Sequence, residues 1–187
     1  MAVLPIRISG EPVLHCPATA VTTFDDELRT LVADMFDTMD TAPGVGLAGP
    51  QVGVALRLFV YDYPADETPR RGVAINPELF VTPAPLGAAD EDTEAEGCLS
   101  FPGERFPLRR PEKAILRASD LEGTPFEIVT EGWFARVLQH EFDHLNGILY
   151  TDRLEYEYHK QVAKIIRKRG WGTSGVCWTP GVDNLEG

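Results

Sequence analysis

The chain is poor in the residues that most often reveal function. Its 187 residues include three cysteines and four histidines. Three cysteines, Cys16, Cys98 and Cys177, cannot form a disulfide framework, so a reduced compartment is expected, with a thiol free to bind metal. There is no apolar run of about 18 residues, which excludes a membrane-spanning helix. The opening MAVLPIRISGEPVL lacks the charged start, apolar core and small-residue cleavage site of a secretory signal, so a cytoplasmic protein is expected. Basic residues are also scarce. Lys and Arg total 17 against 29 acidic residues, a net charge of −12. That balance argues against a general nucleic-acid binder or a reader of a specific nucleic-acid sequence, both of which need a basic footprint. The charge is uneven: DEDTEAE at 90–96 is acidic and KQVAKIIRKR at 160–169 is basic. Both read first as solvated surface.

No repeat or low-complexity linker interrupts the chain, and its length fits one domain over 1–187, with a tail from 170 to 187. Residues 1–23 read as an irregular lead-in containing Pro5, Pro12 and Pro17. Leu28, Leu31, Val32, Met35, Phe36 and Met39 have helical spacing, and Asp25 is a candidate cap, so a helix is expected over 25–40. Strands are expected at 54–61, 72–76, 78–82, 105–109, 113–119 and 125–130, with a hairpin at Glu122-Gly123. A second helix is expected over 132–145, stopped by Asn146-Gly147, and a third over 154–169. The tail, rich in Gly, Pro and Trp, is expected to lie over the surface. Strands gathered between helices indicate an α+β fold, not a parallel α/β sheet.

The second helix carries QHEFDHLNG. His140 and His144 stand four apart, on one helix face, where both imidazoles reach a single ion. Glu141 beside them can take and deliver the proton of a metal-activated water. A catalytic zinc-type site has three protein ligands and an open position. The extended pattern HExxHxxGxxH needs histidine at 150, where this chain has Tyr150, and no glutamate occurs between 158 and 185. Asp152, Glu155, Glu157 and His159 remain at poorer spacing. Upstream, EGCLS at 96–100 contains Cys98, which alone reads as an ordinary buried cysteine, though a Cys/His/His set suits zinc or ferrous iron. GVGLAGPQ at 44–51 has three glycines in six positions, which permits close backbone approach to a ligand. No Lys-Ser or Lys-Thr follows, so it is not a phosphate loop.

Taken in order, GVGLAGPQ, EGCLS and QHEFDHLNG resemble the three signature motifs of the peptide deformylases. The resemblance runs from about residue 5 to 165 and includes EPVLHCPA, Ile75-Asn76-Pro77 and Pro111-Glu112-Lys113. One departure is Ala48-Gly49, where the family commonly has Ala-Ala; it bears on loop rigidity. The resemblance implies small mixed and antiparallel sheets around a central helix bearing HExxH, flanked by an N-terminal and a C-terminal helix. It implies Cys98, His140 and His144 as ligands of one divalent metal, ferrous iron in the cell, with zinc, nickel or cobalt able to replace it. Glu141 is then the general acid/base, and Gln51 with the Leu99 amide stabilises the oxyanion. The implied substrate is the N-formyl-methionyl end of a nascent peptide. Its pocket is expected from Val45, Trp133 and Val137, with Arg105 and Arg136 near the mouth and Gly46 bonding the substrate backbone. Glu96 and Arg110 form an expected ion pair bracing the cysteine loop, and Gln139 and Asp143 are expected supports of the ligands. Lys160, Lys164, Arg167 and Lys168 on the basic helix then gain a second reading, docking to the ribosome. Two readings compete: a metalloendopeptidase with another third ligand, and a metal-binding or ribosome-associated protein without catalysis.

Overall fold

Cap chemistry and alternation place most of the elements where the sequence calls for them. The computed structural model describes residues 2–64, 70–183 and 185. In chain order the elements are β1 (Ile6–Arg7), α1 (Asp26–Thr41), β2 (Gly46–Ala48), β3 (Leu58–Tyr63), β4 (Arg70–Val81), β5 (Ala95–Cys98), β6 (Phe101–Pro107), β7 (Lys113–Ser119), β8 (Pro125–Glu131), α2 (Gly132–Leu145), α3 (Tyr156–Arg169) and β9 (Cys177–Trp178). Asp25 caps α1 by accepting from the Leu28 amide at 2.9 Å. Gly170, in the left-handed region at φ 71°, closes α3.

Five strands form the main sheet in the order β2-β3-β4-β7-β8, and two smaller pairs, β5-β6 and β1-β9, stand apart from it. All these pairings are antiparallel; the parallel pairing among the described residues is one bridge, Thr19 to Leu56. The main sheet separates two cores. Leu58 and Val60 point into a cluster with Val32, Met35 and Met39 of α1. Phe59 and Tyr61 point the other way, against Phe134, Val137 and Leu138 of α2. Burial on both faces explains why LFVY reads as an unbroken apolar run instead of alternating. It also clamps α2, the helix carrying His140 and His144, onto a rigid support.

The departures have local causes. The strand expected from 54 begins at Leu58, because Gly49–Val52 forms a 3-10 turn closed by Gly53 at φ 85°. The two strands expected at 72–76 and 78–82 are one strand, β4, whose register shifts between Ile75 and Glu78. Pro77 lacks the ladder N–H there, and Asn76, at φ 51°, turns its side chain to bond both the amide and the carbonyl of Val21 at 2.8 Å. The strand expected at 105–109 starts earlier, at Phe101, because it pairs with β5. The acidic run divides: Asp90 to Asp92 is solvated, whereas β5 carries Glu96 inward. The third helix begins at Tyr156, after a 3-10 turn over Tyr150–Arg153.

The lead-in and the tail are both corrected. The lead-in buries Ile6, Ile8 and Leu14 completely or nearly so. The tail does not merely cover the surface: β9 pairs with β1, and Trp171 and Trp178 enter the main core. Two backbones meet so closely there that a Cβ at Gly10 would lie 2.4 Å from the Gly172 backbone. Cys16 and Cys177 are exposed free thiols.

Candidate metal centre

The i, i+4 spacing on α2 turns the ring nitrogens of His140 and His144 toward each other, with Nε2 atoms 3.2 Å apart. The β5-β6 turn brings Cys98 to the same point, its Sγ 3.3 Å from His144 Nε2. The three donor atoms all lie within 4.8 Å of one another, and the thiol and His144 are buried. Donors held about 2.0–2.3 Å from a tetrahedral ion stand about 3.3–3.6 Å apart, so this soft-donor triad fits a divalent metal.

Each donor is oriented by a neighbour. His140 Nδ1 lies 3.1 Å from Glu96 Oε2, leaving Nε2 to face the triad. Glu96 is 3% exposed and receives Arg110 at 2.6 and 3.0 Å and Arg136 at 2.7 Å. Burial opposes ionisation of Glu96, but the His140 hydrogen bond and the Arg110 charge hold its carboxyl well below the usual range. His140 is pulled down by burial but raised well above the ordinary value by Cys98 and Glu96. Burial and the His140 charge hold His144 well below its ordinary value, so its imidazole is neutral.

Glu141 follows His140 on α2 and lines the same cavity; it is 4% exposed, with Oε2 buried and unpartnered among the described residues. Burial pushes its carboxyl up to about 7, against the pull of His140 and Arg110. Gly46 makes this placement feasible: a Cβ at that position would lie 2.4 Å from Glu141 Oε1. Gln51 is anchored through Oε1, which accepts from the Ala48 amide at 2.8 Å. Its Nε2 then points to Cys98 Sγ at 3.7 Å and Ser100 Oγ at 3.4 Å.

One cavity of about 540 Å³ opens onto the site. Gln51, Cys98, Leu99, His140 and Glu141 share it with all six residues expected to bind substrate: Val45, Gly46, Arg105, Trp133, Arg136 and Val137. Val45, Trp133 and Arg105 are exposed at its mouth, whereas Val137 is buried. Arg136 is not free at the mouth. It is buried, bonded to Glu96 and Glu94, and its guanidinium lies 5.0 Å over the Trp133 ring. Glu96 and Arg110 form a buried ion pair. Gln139 and Asp143 lie close by but partner neither histidine ring. Gln139 donates to the Pro111 and Ala135 carbonyls, and Asp143 accepts from Arg110 and Arg153. Arg110 thus links Asp143 to Glu96 and through it to His140.

Sequence reasoning missed Ser100, whose amide lies 3.4 Å from Cys98 Sγ, although it stands inside EGCLS. It also missed Trp178, whose indole Nε1 donates to the Leu99 carbonyl at 2.8 Å. Nothing in the sequence around Trp178 points to a residue 79 positions away.

A family model described as polypeptide deformylase matches residues 3–160. A peptide deformylase of Rhodococcus opacus (strain B4) is 50% identical over 186 residues, spanning 97% of this chain and 95% of that one. The crystal structure of a peptide deformylase from Legionella pneumophila matches with a TM-score of 0.77 and 41% identity, covering 90% of this chain and 96% of that one. The crystal structure of a peptide deformylase from Synechococcus elongatus in complex with actinonin matches with a TM-score of 0.74 and 37% identity, covering 92% and 91%. Likeness of this extent, in sequence and in fold together, means that the chain belongs to the polypeptide deformylase family, metal-dependent hydrolases that remove the N-formyl group from the N-terminal methionine of new polypeptides.

Proposed function

We propose that Cys98, His140 and His144 hold one divalent metal, ferrous iron in the cell, and that Glu141 is the general acid/base of deformylation. The observation that carries this reading is a buried carboxylate, Glu141, sharing one cavity with Cys98 and His140 of a three-donor triad. A divalent ion held there supplies Lewis acidity, which polarises a carbonyl and makes water a nucleophile at neutral pH. The remaining work falls to the chain. Glu141 takes the proton from the attacking water, and as the carbon–nitrogen bond breaks it delivers that proton to the leaving α-amine. Water and the formyl peptide thus give formate and a free methionyl amine. Gln51 Nε2 and the Leu99 amide are the donors for the developing oxyanion. The peptide extends along the Gly46 backbone at the open edge of β2. Val45, Trp133 and Val137 receive the methionine side chain, whose burial contributes about 1.5–3 kcal/mol. Arg105 meets the peptide at the mouth, and Arg136 holds the Trp133 wall in place.

The protein is proposed to act in the cytoplasm on chains leaving the ribosome, as one catalytic unit that includes the tail. Lys160, Lys164, Arg167 and Lys168 are exposed on α3 and supply a basic face for ribosomal RNA phosphates. Reversing these four charges should abolish salt-sensitive co-sedimentation with ribosomes while leaving turnover of a short peptide unchanged. The catalytic reading is tested by formate release from formyl-Met-Ala-Ser after anaerobic loading with ferrous iron. Fast release that decays in air is expected, since both the iron and the Cys98 thiolate oxidise. No release from protein that retains one metal per chain would overturn the assignment.

A further inference from the structure

The C-terminal tail reaches the metal centre through one peptide unit. Trp178 is 3% exposed, and its indole Nε1–H donates to the Leu99 carbonyl at 2.8 Å. The amide on the other end of that same peptide, Ser100 N–H, points at Cys98 Sγ at 3.4 Å. The Leu99–Ser100 peptide is therefore held at its oxygen by the tail while its N–H faces the cysteine sulfur. Tail and turn are tied to the same N-terminal segment. Ile6 pairs with Trp178 in the β1-β9 ladder, and the Ser9 amide donates to the Ser100 carbonyl at 2.8 Å. A donor on a peptide oxygen polarises the amide and strengthens the bond its N–H makes, and it fixes the plane of the group. Hydrogen bonds to a ligand sulfur draw off its charge and set how strongly it donates to a metal.

We propose that Trp178 is a positioning residue for the metal-binding cysteine, acting through the Leu99–Ser100 peptide to fix the N–H···S bond at Cys98. The proposal rests on Cys98 being a metal ligand. It gives the tail a definite task. Without the indole donor, the part-buried Leu99 carbonyl turns to find another partner, and the Ser100 N–H leaves the sulfur as the plane rotates.

The test uses the full-length protein loaded with cobalt(II), whose sulfur-to-metal charge-transfer band reports the thiolate directly. Trp178→Phe removes the donor. Benzothienylalanine placed at 178 removes it while keeping the ring size, and this variant decides the matter if Trp178→Phe does not fold. Trp171→Phe is the control: Trp171 is buried in the same tail, its ring edge-on to Phe101 at 5.0 Å. Loss of the Trp178 donor should shift the band and speed cobalt release to a chelator about tenfold, the low end for loss of a group that orients a metal ligand. kcat should fall with KM unchanged. Trp171→Phe should lower stability with band and release rate unchanged. A parental band and release rate in both Trp178 variants would overturn the proposal, as would an equal shift in Trp171→Phe. A parent protein with no sulfur band at all would overturn the Cys98 assignment as well.

Discussion

Arg110 is the tie between the cysteine strand and the metal helix, and its removal should be costly. Its guanidinium grips Glu96 of β5 at 2.6 and 3.0 Å and reaches Asp143 of α2 at 2.9 Å. All three side chains are buried. Arg110→Met keeps the apolar stem and removes the charge between two buried carboxylates. Breaking one partner out of a buried ion pair costs about 3–5 kcal/mol. Here each carboxylate keeps a second cation, Arg136 for Glu96 and Arg153 for Asp143, which places the expected loss near the lower end, about 3 kcal/mol. With a urea slope of about 2 kcal/mol/M, the unfolding midpoint should fall by about 1.5 M. Urea titrations of parent and variant, loaded with the same metal and followed by far-UV circular dichroism and tryptophan fluorescence, measure this. Arg153→Met is the comparison. That arginine is 45% exposed and bonds the same Asp143 from the solvent side, so its loss should cost less than about 1 kcal/mol. In a cycle with Glu96→Gln, Arg110→Met should show a coupling of about 2 kcal/mol. A midpoint shift below about 0.5 M for Arg110→Met, or an equal loss for Arg153→Met, would refute the argument that this buried network joins the two halves of the site.

Three further outcomes are expected. Cys98→Ala should drop bound metal from one per chain toward none, read by elemental analysis after gel filtration, while the fold persists because only one sulfur atom leaves the core. Glu141→Gln keeps the shape and the metal but should lower kcat by about 10²–10⁴-fold, since it removes only proton transfer; metal loss in step with activity would show that Glu141 is structural. Gly46→Ala sets a methyl 2.4 Å from Glu141 Oε1, so the carboxylate must move. A stability cost of about 1–3 kcal/mol with a large fall in kcat is expected, checked by thermal unfolding and steady-state kinetics.

Much of this protein is written in local pattern. The stripe of Phe134, Val137, Leu138 and Leu145, with Asn146-Gly147 after it, marks α2 without help from the rest of the chain. So does the face shared by His140 and His144. The capping Asp25 and the turn at Glu122-Gly123 act within a few residues of themselves, which is why α1 and the β7-β8 hairpin were legible. Asn76-Pro77 was less so. Its motif was visible, but its effect, a bulge inside one strand, depends on Val21 being alongside to take the asparagine.

What only the tertiary structure decided is which distant groups meet. Glu96 belongs to a stretch whose composition reads as solvated, and its burial depends on Arg110, Arg136 and His140 arriving from other elements to offset the cost of desolvation. Asp143 adjoins the histidines in sequence yet faces away from them, toward Arg110 and Arg153, because the helix turn sets its direction. Arg136, expected near the pocket mouth, is held instead by two glutamates. Trp178 could not be placed from any local signal, since its contact with the Leu99 carbonyl exists only once β9 has paired with β1. Sequence by itself determined the kinds of chemistry available, because periodicity and ligand type act at short range. The fold determined their partners and charge states, because burial and long-range pairing set the energy of every charged group in the site.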